Sequence, residues 1–314
     1  MSSLSMGLRK SKVKKNLPLG LSVVSVTESG GQSFQSKLAN REYHPPHKKG
    51  CEQLSDMHTV DGKHALILGD CMDTLRSMKD CAVDVTFTSP PYNDSAKTER
   101  DVEKKRHLKY EQIESRDDWL EWQIEVIDQL LRVTKRYVLY NVQAILSNRE
   151  DVYRLIGHYA DKIHQILIWY KPNAQPQPYK NRIGNSYEMV ILLRGAKFKN
   201  LHINSEHYNN VIVQNINADH QYSNMHRAVM SSPFADEIIR EFTQPGDTVF
   251  DPFMGLATTG ISCVRQGRKF IGCEIHEPYY WIAYDRMVRE ASQVSMFDFD
   301  ETERAEEVQT ALWG

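Results

Sequence analysis

The sequence predicts a doubly wound α/β protein with a largely parallel sheet, and three observations carry that expectation. From about residue 60 onward, short apolar runs alternate with amphipathic segments, the pattern of strands joined by crossover helices. The last third ends in a plain strand–helix–strand–helix series: "DTVFDPF", a helix from about Ala257, "RKFIGCEI" and a helix from Pro278. At 314 residues and 36.4 kDa the chain can bury one large core with room for a small second lobe, and it contains no internal repeat.

Taken in order, residues 1–55 are rich in Ser, Lys, Gly and Pro and lack sustained periodicity, so they read as an irregular basic arm. The folded domain is expected over 56–295, with a tail at 296–314. "HALILGD" reads as a strand, "CMDTLRSM" as a short helix and "VDVTFTS" as the next strand. "RDDWLEWQIEVIDQLLRVTK" carries Leu120, Ile124, Ile127 and Leu131 at helical spacing. "RYVLYNV", "HQILIWY" and "YEMVILLRG" follow as strands, and "PFADEIIREF" as a helix with proline in its first turn. Two stretches break the alternation: a charged loop, Asn93–Arg116, and a polar, Asn- and His-rich segment at 196–226. Both fit either a surface loop or a substrate-contacting role.

Composition excludes little. Apolar content of 40% and charged content of 25% are ordinary for a soluble globular protein, and a net charge of −2 neither demands nor forbids nucleic acid. Five cysteines, an odd number with no C-x-x-C pair, argue against a disulfide framework or zinc knuckle, so no metal is expected and reduced thiols in a cytoplasmic setting fit better. No apolar run approaches the ~18 residues needed to cross a bilayer. "GLRKSKVKKNLPLGLSVVSV" loosely mimics a secretory signal, but Pro18, Gly20 and nearby serines interrupt its apolar part and no small-residue cleavage site follows. Arg9, Lys10, Lys12, Lys14 and Lys15 would suit attraction to phosphates; a plain tail is the alternative.

Two corners point to chemistry. "VDVTFTSPPYND" runs an apolar strand into Pro90 and Pro91, which cannot continue pairing, with Ser89 before them and Tyr92 after. "GDTVFDPFMGLATTG" reads as a strand, a tight small-residue turn and a helix, the place where a doubly wound sheet holds a nucleotide-like ligand. Glu274 lies 23 residues beyond Asp251, at the end of the next strand, where an acid can accept hydrogen bonds from two ribose hydroxyls. There is no G-x-G-x-x-G and no phosphate-cradling run, so a nucleoside without a pyrophosphate fits better than NAD, and S-adenosylmethionine is the common one.

Thr88-Ser89-Pro90-Pro91-Tyr92-Asn93 resembles the catalytic motif of DNA amino-methyltransferases, and Asp251-Pro252-Phe253-Met254-Gly255 is similar to their cofactor motif. The catalytic motif comes first by some 160 residues, the permuted order of the β class; glutamine and ribosomal-RNA methyltransferases with Asn-Pro-Pro-Tyr have the reverse. "LILGDCMDTL", "IWYKPNAQPQPYKNRIGNSYEMVILL" and "GRKFIGCEIHEPYYWIAYDR" also resemble the class, so the likeness spans about residues 60–290. It implies a mostly parallel, seven-stranded sheet of the S-adenosylmethionine-dependent methyltransferase type. It also implies methyl transfer from S-adenosylmethionine to the exocyclic amine of a flipped base in double-stranded DNA.

Residue by residue, the resemblance implies that Ser89 and the Pro90 carbonyl accept the two N–H bonds of the amine, that Pro91 stiffens the corner and that Tyr92 stacks on the base. Asp251, Pro252, Phe253 and Gly255 would lie at the methionine part of the cofactor, with Thr258 after the turn, Glu274 on ribose and Asp70 near the adenine amino group. Asn93 is expected at the substrate; Lys171, Lys180 and Arg182 are candidate phosphate contacts, each equally readable as an ordinary surface cation; and 196–226, helped by the 93–116 loop, is the expected target-recognition segment. Ser-Pro-Pro-Tyr favours N4 of cytosine over N6 of adenine, while the absence of a Pro-Cys dipeptide disfavours carbon-5 methylation. One departure stands out: Gly255-Leu256-Ala257-Thr258 replaces the usual Gly-Ser-Gly-Thr. If position 257 needs positive φ, alanine costs about 1 kcal/mol or more; if it is helical, alanine is harmless. A cofactor-deficient DNA-binding homologue and an RNA amino-methyltransferase are therefore the alternatives. The likeness is also compatible with a homodimer, a companion restriction endonuclease and a prokaryotic or phage-infected host.

Overall fold

The computed structural model describes residues 56–91, 116–145, 147–174, 181, 183–216 and 229–294. Tyr92, Asn93, Lys180 and Arg182, the basic arm, the charged loop through residue 115, the second part of the 196–226 segment and the C-terminal tail lie outside the described residues.

The strands are β1 (Asp56–Val60), β2 (His64–Leu68), β3 (Val83–Thr88), β4 (Thr134–Val142), β5 (Ile163–Tyr170), β6 (Tyr187–Arg194), β7 (Val211–Val213), β8 (Thr248–Asp251) and β9 (Lys269–Glu274). The helices are α1 (Cys71–Ser77), α2 (Arg116–Val133), α3 (Arg149–His158), α4 (Ser232–Phe242), α5 (Thr258–Arg265) and α6 (277–294). They build one sheet in the order β1-β2-β9-β8-β3-β4-β6-β5-β7. β2, β9, β8, β3 and β4 run parallel, β6 runs against β4 and β5, and β1 and β7 close the two edges. The expected seven strands are all present, and among the described residues the two edge strands bring the sheet to nine.

Both faces are covered, which is why the central strands are apolar throughout. Leu66, Val85, Phe87, Tyr137, Leu139, Val190, Leu192 and Val249 pack toward α4, α5 and α6. Ile67, Val138, Tyr140, Ile191 and Phe250 pack the other way, toward α1, α2 and α3. Each large side chain so buried is worth about 1.5–3 kcal/mol. α2 forms where expected, but its buried face is Trp119, Gln123, Val126, Ile127, Leu130 and Val133. Leu120, Ile124 and Leu131 of the expected stripe are half-buried at its flank, because the helix also packs on α1 and α3.

Residues 196–216 are tied into the domain. Asn204 donates to the Thr243 carbonyl at 2.9 Å, Gln214 donates to Glu237 at 2.9 Å, and β7 pairs with β5. Among the described residues, no helix is long and apolar enough to cross a membrane.

Candidate active site

The sheet order lines up the functional side chains along one edge. The parallel strands end there at Leu68, Glu274, Asp251, Thr88 and Val142; β6 begins there because it runs the opposite way. Asp70, Glu274, the Asp251–Gly255 turn, Ser89, Asn141 and Glu188 therefore follow one another across neighbouring strands, although they are scattered from residue 70 to 274 in the chain.

The Ser-Pro-Pro corner leaves β3 with Pro90 buried and Ser89 half-buried. The buried Trp119 of α2 donates its indole N–H to the Pro91 carbonyl at 3.2 Å, fixing the corner against the helix layer. Three residues on, Trp122 lies 5.6 Å from the Phe253 ring, so one helix steadies both motifs. Thr88 donates its hydroxyl to Asp251 Oδ1 at 2.6 Å, joining β3 to β8.

Asp251 is fully engaged inside the protein. Oδ1 also accepts from the Phe253 N–H at 3.1 Å, and Oδ2 from the Thr259 hydroxyl at 2.9 Å. Complete burial pushes its carboxyl up to about 6, in spite of these donors, each of which favours the charged form. Thr258, the expected contact, opens α5 and is buried; it is the next residue, Thr259, that holds Asp251.

The turn itself is strained where the sequence departs from the family pattern. Ala257 has φ 58° and ψ 38°, the left-handed region, and Gly255 has φ 51°. Alanine thus carries the costlier of the two alternatives. The conformation is held by Ala257 N–H on the Met254 carbonyl at 2.8 Å, Met254 N–H on the Cys273 carbonyl at 3.0 Å, and Arg286 on the Leu256 carbonyl at 2.6 Å. Gly272 lets Met254 approach β9: a Cβ there would collide with the methionine sulfur and the Phe270 ring.

Glu274 accepts the Gly255 N–H at 3.0 Å and the His276 N–H at 2.8 Å, one on each oxygen. Burial pushes its carboxyl up to about 7, although both N–H groups pull the other way. Asp70 caps α1, accepting the Met72 N–H at 2.7 Å, and is exposed beside Glu274 because Leu68 pairs with Glu274 across β2 and β9. Ile275, 53% exposed, adds apolar surface at the same place.

Lys171 differs from its expected role. Its ammonium is buried, donating to Glu188 Oε1 at 2.8 Å, so it is not an exposed phosphate contact. Glu188 and Asn141 were missed by sequence reasoning, as were Trp119, Thr259 and Ile275, while Thr88 was quoted in its motif without a role. Thr259 follows the glycine turn; Asn141 and Glu188 sit inside apolar strands with no spacing signal.

Residues 83–285 match the DNA methylase family. The chain belongs to that family. The type II methyltransferase M.SmaI of Serratia marcescens is 33% identical over 135 residues, 39% of this chain and 45% of that protein. M.BglII of Bacillus subtilis is 25% identical over 265 residues, 73% of this chain and 70% of that protein. The alignment with M.SmaI thus spans less than half of that relative. The solved PvuII DNA methyltransferase (cytosine-N4-specific) has the same fold, with a TM-score of 0.57 at 18% identity over 72% of this chain and 87% of that one.

Proposed function

We propose that this DNA methylase transfers a methyl group from S-adenosylmethionine to the exocyclic amine of a flipped base in double-stranded DNA, N4 of cytosine before N6 of adenine. The observation that carries the reading is the Thr88–Asp251 hydrogen bond of 2.6 Å, which ties the Ser-Pro-Pro corner to the glycine turn on adjacent strands. The residues present fit the cofactor. Glu274 closes a strand with both oxygens anchored on backbone N–H groups and further lone pairs available for ribose hydroxyls. Asp70 and Ile275 beside it offer an acceptor and an apolar wall for a purine ring. When bound, the cofactor supplies an electrophilic methyl on a sulfonium.

The chain's own part is to hold the amine. Its lone pair is delocalised into the base ring, so it is a weak nucleophile. Ser89 Oγ and the Pro90 carbonyl accept its two N–H bonds, favouring a pyramidal nitrogen whose lone pair is free to form the N–C bond. Held by Ser89 and Pro90, the amine nitrogen would take the methyl that the bound cofactor supplies, the cofactor leaving as its neutral thioether and the amine's proton passing to bulk water. Tyr92 and Asn93 supply stacking and a further polar contact in this reading.

A second reading, a DNA-binding homologue that has lost the cofactor, is favoured by one observation, Ala257 at positive φ. The deciding experiment incubates the protein with labelled cofactor and mixed-sequence DNA or RNA, then identifies modified nucleosides by mass spectrometry. N4-methylcytosine or N6-methyladenine in DNA is expected, and lost in Ser89→Ala. If neither appears in any DNA, the reading is wrong; calorimetry with the cofactor then tells the second reading from inactivity of another origin.

A further inference from the structure

We propose that Lys171, Glu188 and Asn141 form a positioning row that sets the Ser89 hydroxyl for the amine; the inference rests on the function proposed above. The row crosses four strand ends. Lys171 Nζ donates to Glu188 Oε1 at 2.8 Å, Asn141 Nδ2 donates to Glu188 Oε2 at 2.6 Å, and the same Nδ2 lies 3.4 Å from Ser89 Oγ. Lys171, Glu188 and Asn141 are 7%, 9% and 1% exposed. The ammonium also sits 5.2 Å from the centre of the Trp169 ring, which stacks on Phe234.

A buried ion pair is a weak source of stability, because desolvation offsets most of the attraction. This one does something more specific. A carboxylate only accepts, so Glu188 dictates that Asn141 turns its Nδ2, not its Oδ1, inward. The consequence is visible: Asn141 Oδ1 is buried and has no hydrogen-bond partner among the described residues. An orphaned buried carbonyl is costly, and one next to a catalytic corner marks a constraint kept for another reason. With the amide locked, Ser89 Oγ always meets an N–H donor from Asn141. That occupies one lone pair, fixes the hydroxyl's orientation and reserves the other lone pair for the target amine.

The row does not touch the Asp251–Gly255 turn, so its loss should fall on transfer and not on cofactor binding. In the full-length protein with DNA, Asn141→Ala should lower kcat roughly tenfold or more, with KM for cofactor within about twofold of wild type. Asn141→Asp puts a second carboxylate against Glu188; the two share a proton, so kcat relative to wild type should fall as pH rises through their titration. A mere packing defect gives no such pH dependence. Glu188→Gln allows the amide to turn over and should also lose kcat, while the double variant Lys171→Met with Glu188→Gln should recover melting temperature but not kcat. Full kcat in Asn141→Ala overturns the proposal. The row has a second readout independent of turnover: in protein labelled with 15N-asparagine, the Asn141 side-chain amide should shift in both Ser89→Ala and Glu188→Gln. If wild-type protein methylates nothing, the functional reading fails, and the amide response alone decides: a shift in both variants supports the row, and no shift removes it.

Discussion

The two halves of the site are built from the same kinds of side chain but held in different ways. On the proposed cofactor side, Asp251 and Glu274 are buried among hydroxyls and backbone N–H groups, with no cation bonded to either carboxylate among the described residues. On the proposed substrate side, Glu188 is buried with Lys171 bonded to it. The first arrangement is local: each carboxylate lies within a few residues of at least one of its donors. The second is assembled across strands, its members drawn from Ser89 to Glu188, 99 positions apart in the chain. A hydrogen-bonded carboxylate without a cation gains too little to offset desolvation, which is why burial drives Asp251 to about 6 and Glu274 to about 7.

The sharpest way to break the comparison is Asp251→Ala, because Asp251 belongs to both halves. It leaves the Thr88 and Thr259 hydroxyls and the Phe253 N–H without their acceptor. At about 1 kcal/mol or more for each orphaned donor, a loss of roughly 2–4 kcal/mol is expected in urea unfolding. Cofactor binding and transfer should disappear together. Retention of either one would mean that the halves are independent.

Glu274→Gln should separate the halves instead. An amide accepts on one atom only, so it keeps one backbone N–H and loses the other, and it serves ribose hydroxyls less well. Cofactor Kd measured by calorimetry should rise roughly tenfold, with kcat at saturating cofactor little changed. The wild-type carboxyl is raised from an ordinary value near 4.5 to about 7 in the folded protein. Between these values the folded state binds the extra proton, so stability is fully present below about 4.5 and falls as pH rises through about 7. Cofactor affinity runs the other way, tightening as Glu274 ionises and becomes a better acceptor. Both pH dependences should flatten in Glu274→Gln; a wild-type protein whose affinity is level from pH 6 to 8 would show that the carboxylate charge plays no part.

The same contrast explains what was legible in the sequence. Asp251 and Glu274 were visible because their setting is encoded in short contiguous stretches, a strand followed by a small-residue turn and a strand ending in an acid. Asn141 and Glu188 were not, because a polar residue within "RYVLYNV" or "YEMVILL" is ordinary at the open end of a strand. Only the register of β4, β5 and β6 brings Asn141, Glu188 and Lys171 together. Lys171 was read as a phosphate contact because composition cannot reveal that its ammonium is buried on Glu188, beside the stacked Trp169–Phe234 pair. The edge strands were missed for different reasons. β7 has only three residues, too few for a periodic pattern, whereas β1 was available in principle. Asp61 and Gly62, both at positive φ, form the Asp-Gly turn that joins β1 to β2 as a hairpin.

Ala257 sets the smallest effect and the finest test of how firmly the cofactor side is built. At φ 58° an alanine gives up about 1 kcal/mol relative to glycine. Its methyl is also fully buried, among the core side chains that include Met254 and Ile261, and removing such a group costs about 0.8 kcal/mol. The two nearly cancel, so Ala257→Gly should change unfolding free energy by less than about 0.5 kcal/mol and cofactor Kd by less than about twofold. Ala257→Val has no such compensation, since a β-branched side chain resists positive φ and the site has no room; it should cost about 2 kcal/mol or more. A large tightening of cofactor binding in Ala257→Gly would show that the turn is distorted by its alanine. Against that outcome, the hydrogen bonds from Met254, Ala257 and Arg286 hold the backbone in a shape a glycine would also adopt, so a Kd unchanged in Ala257→Gly would remove the ground for the cofactor-deficient reading.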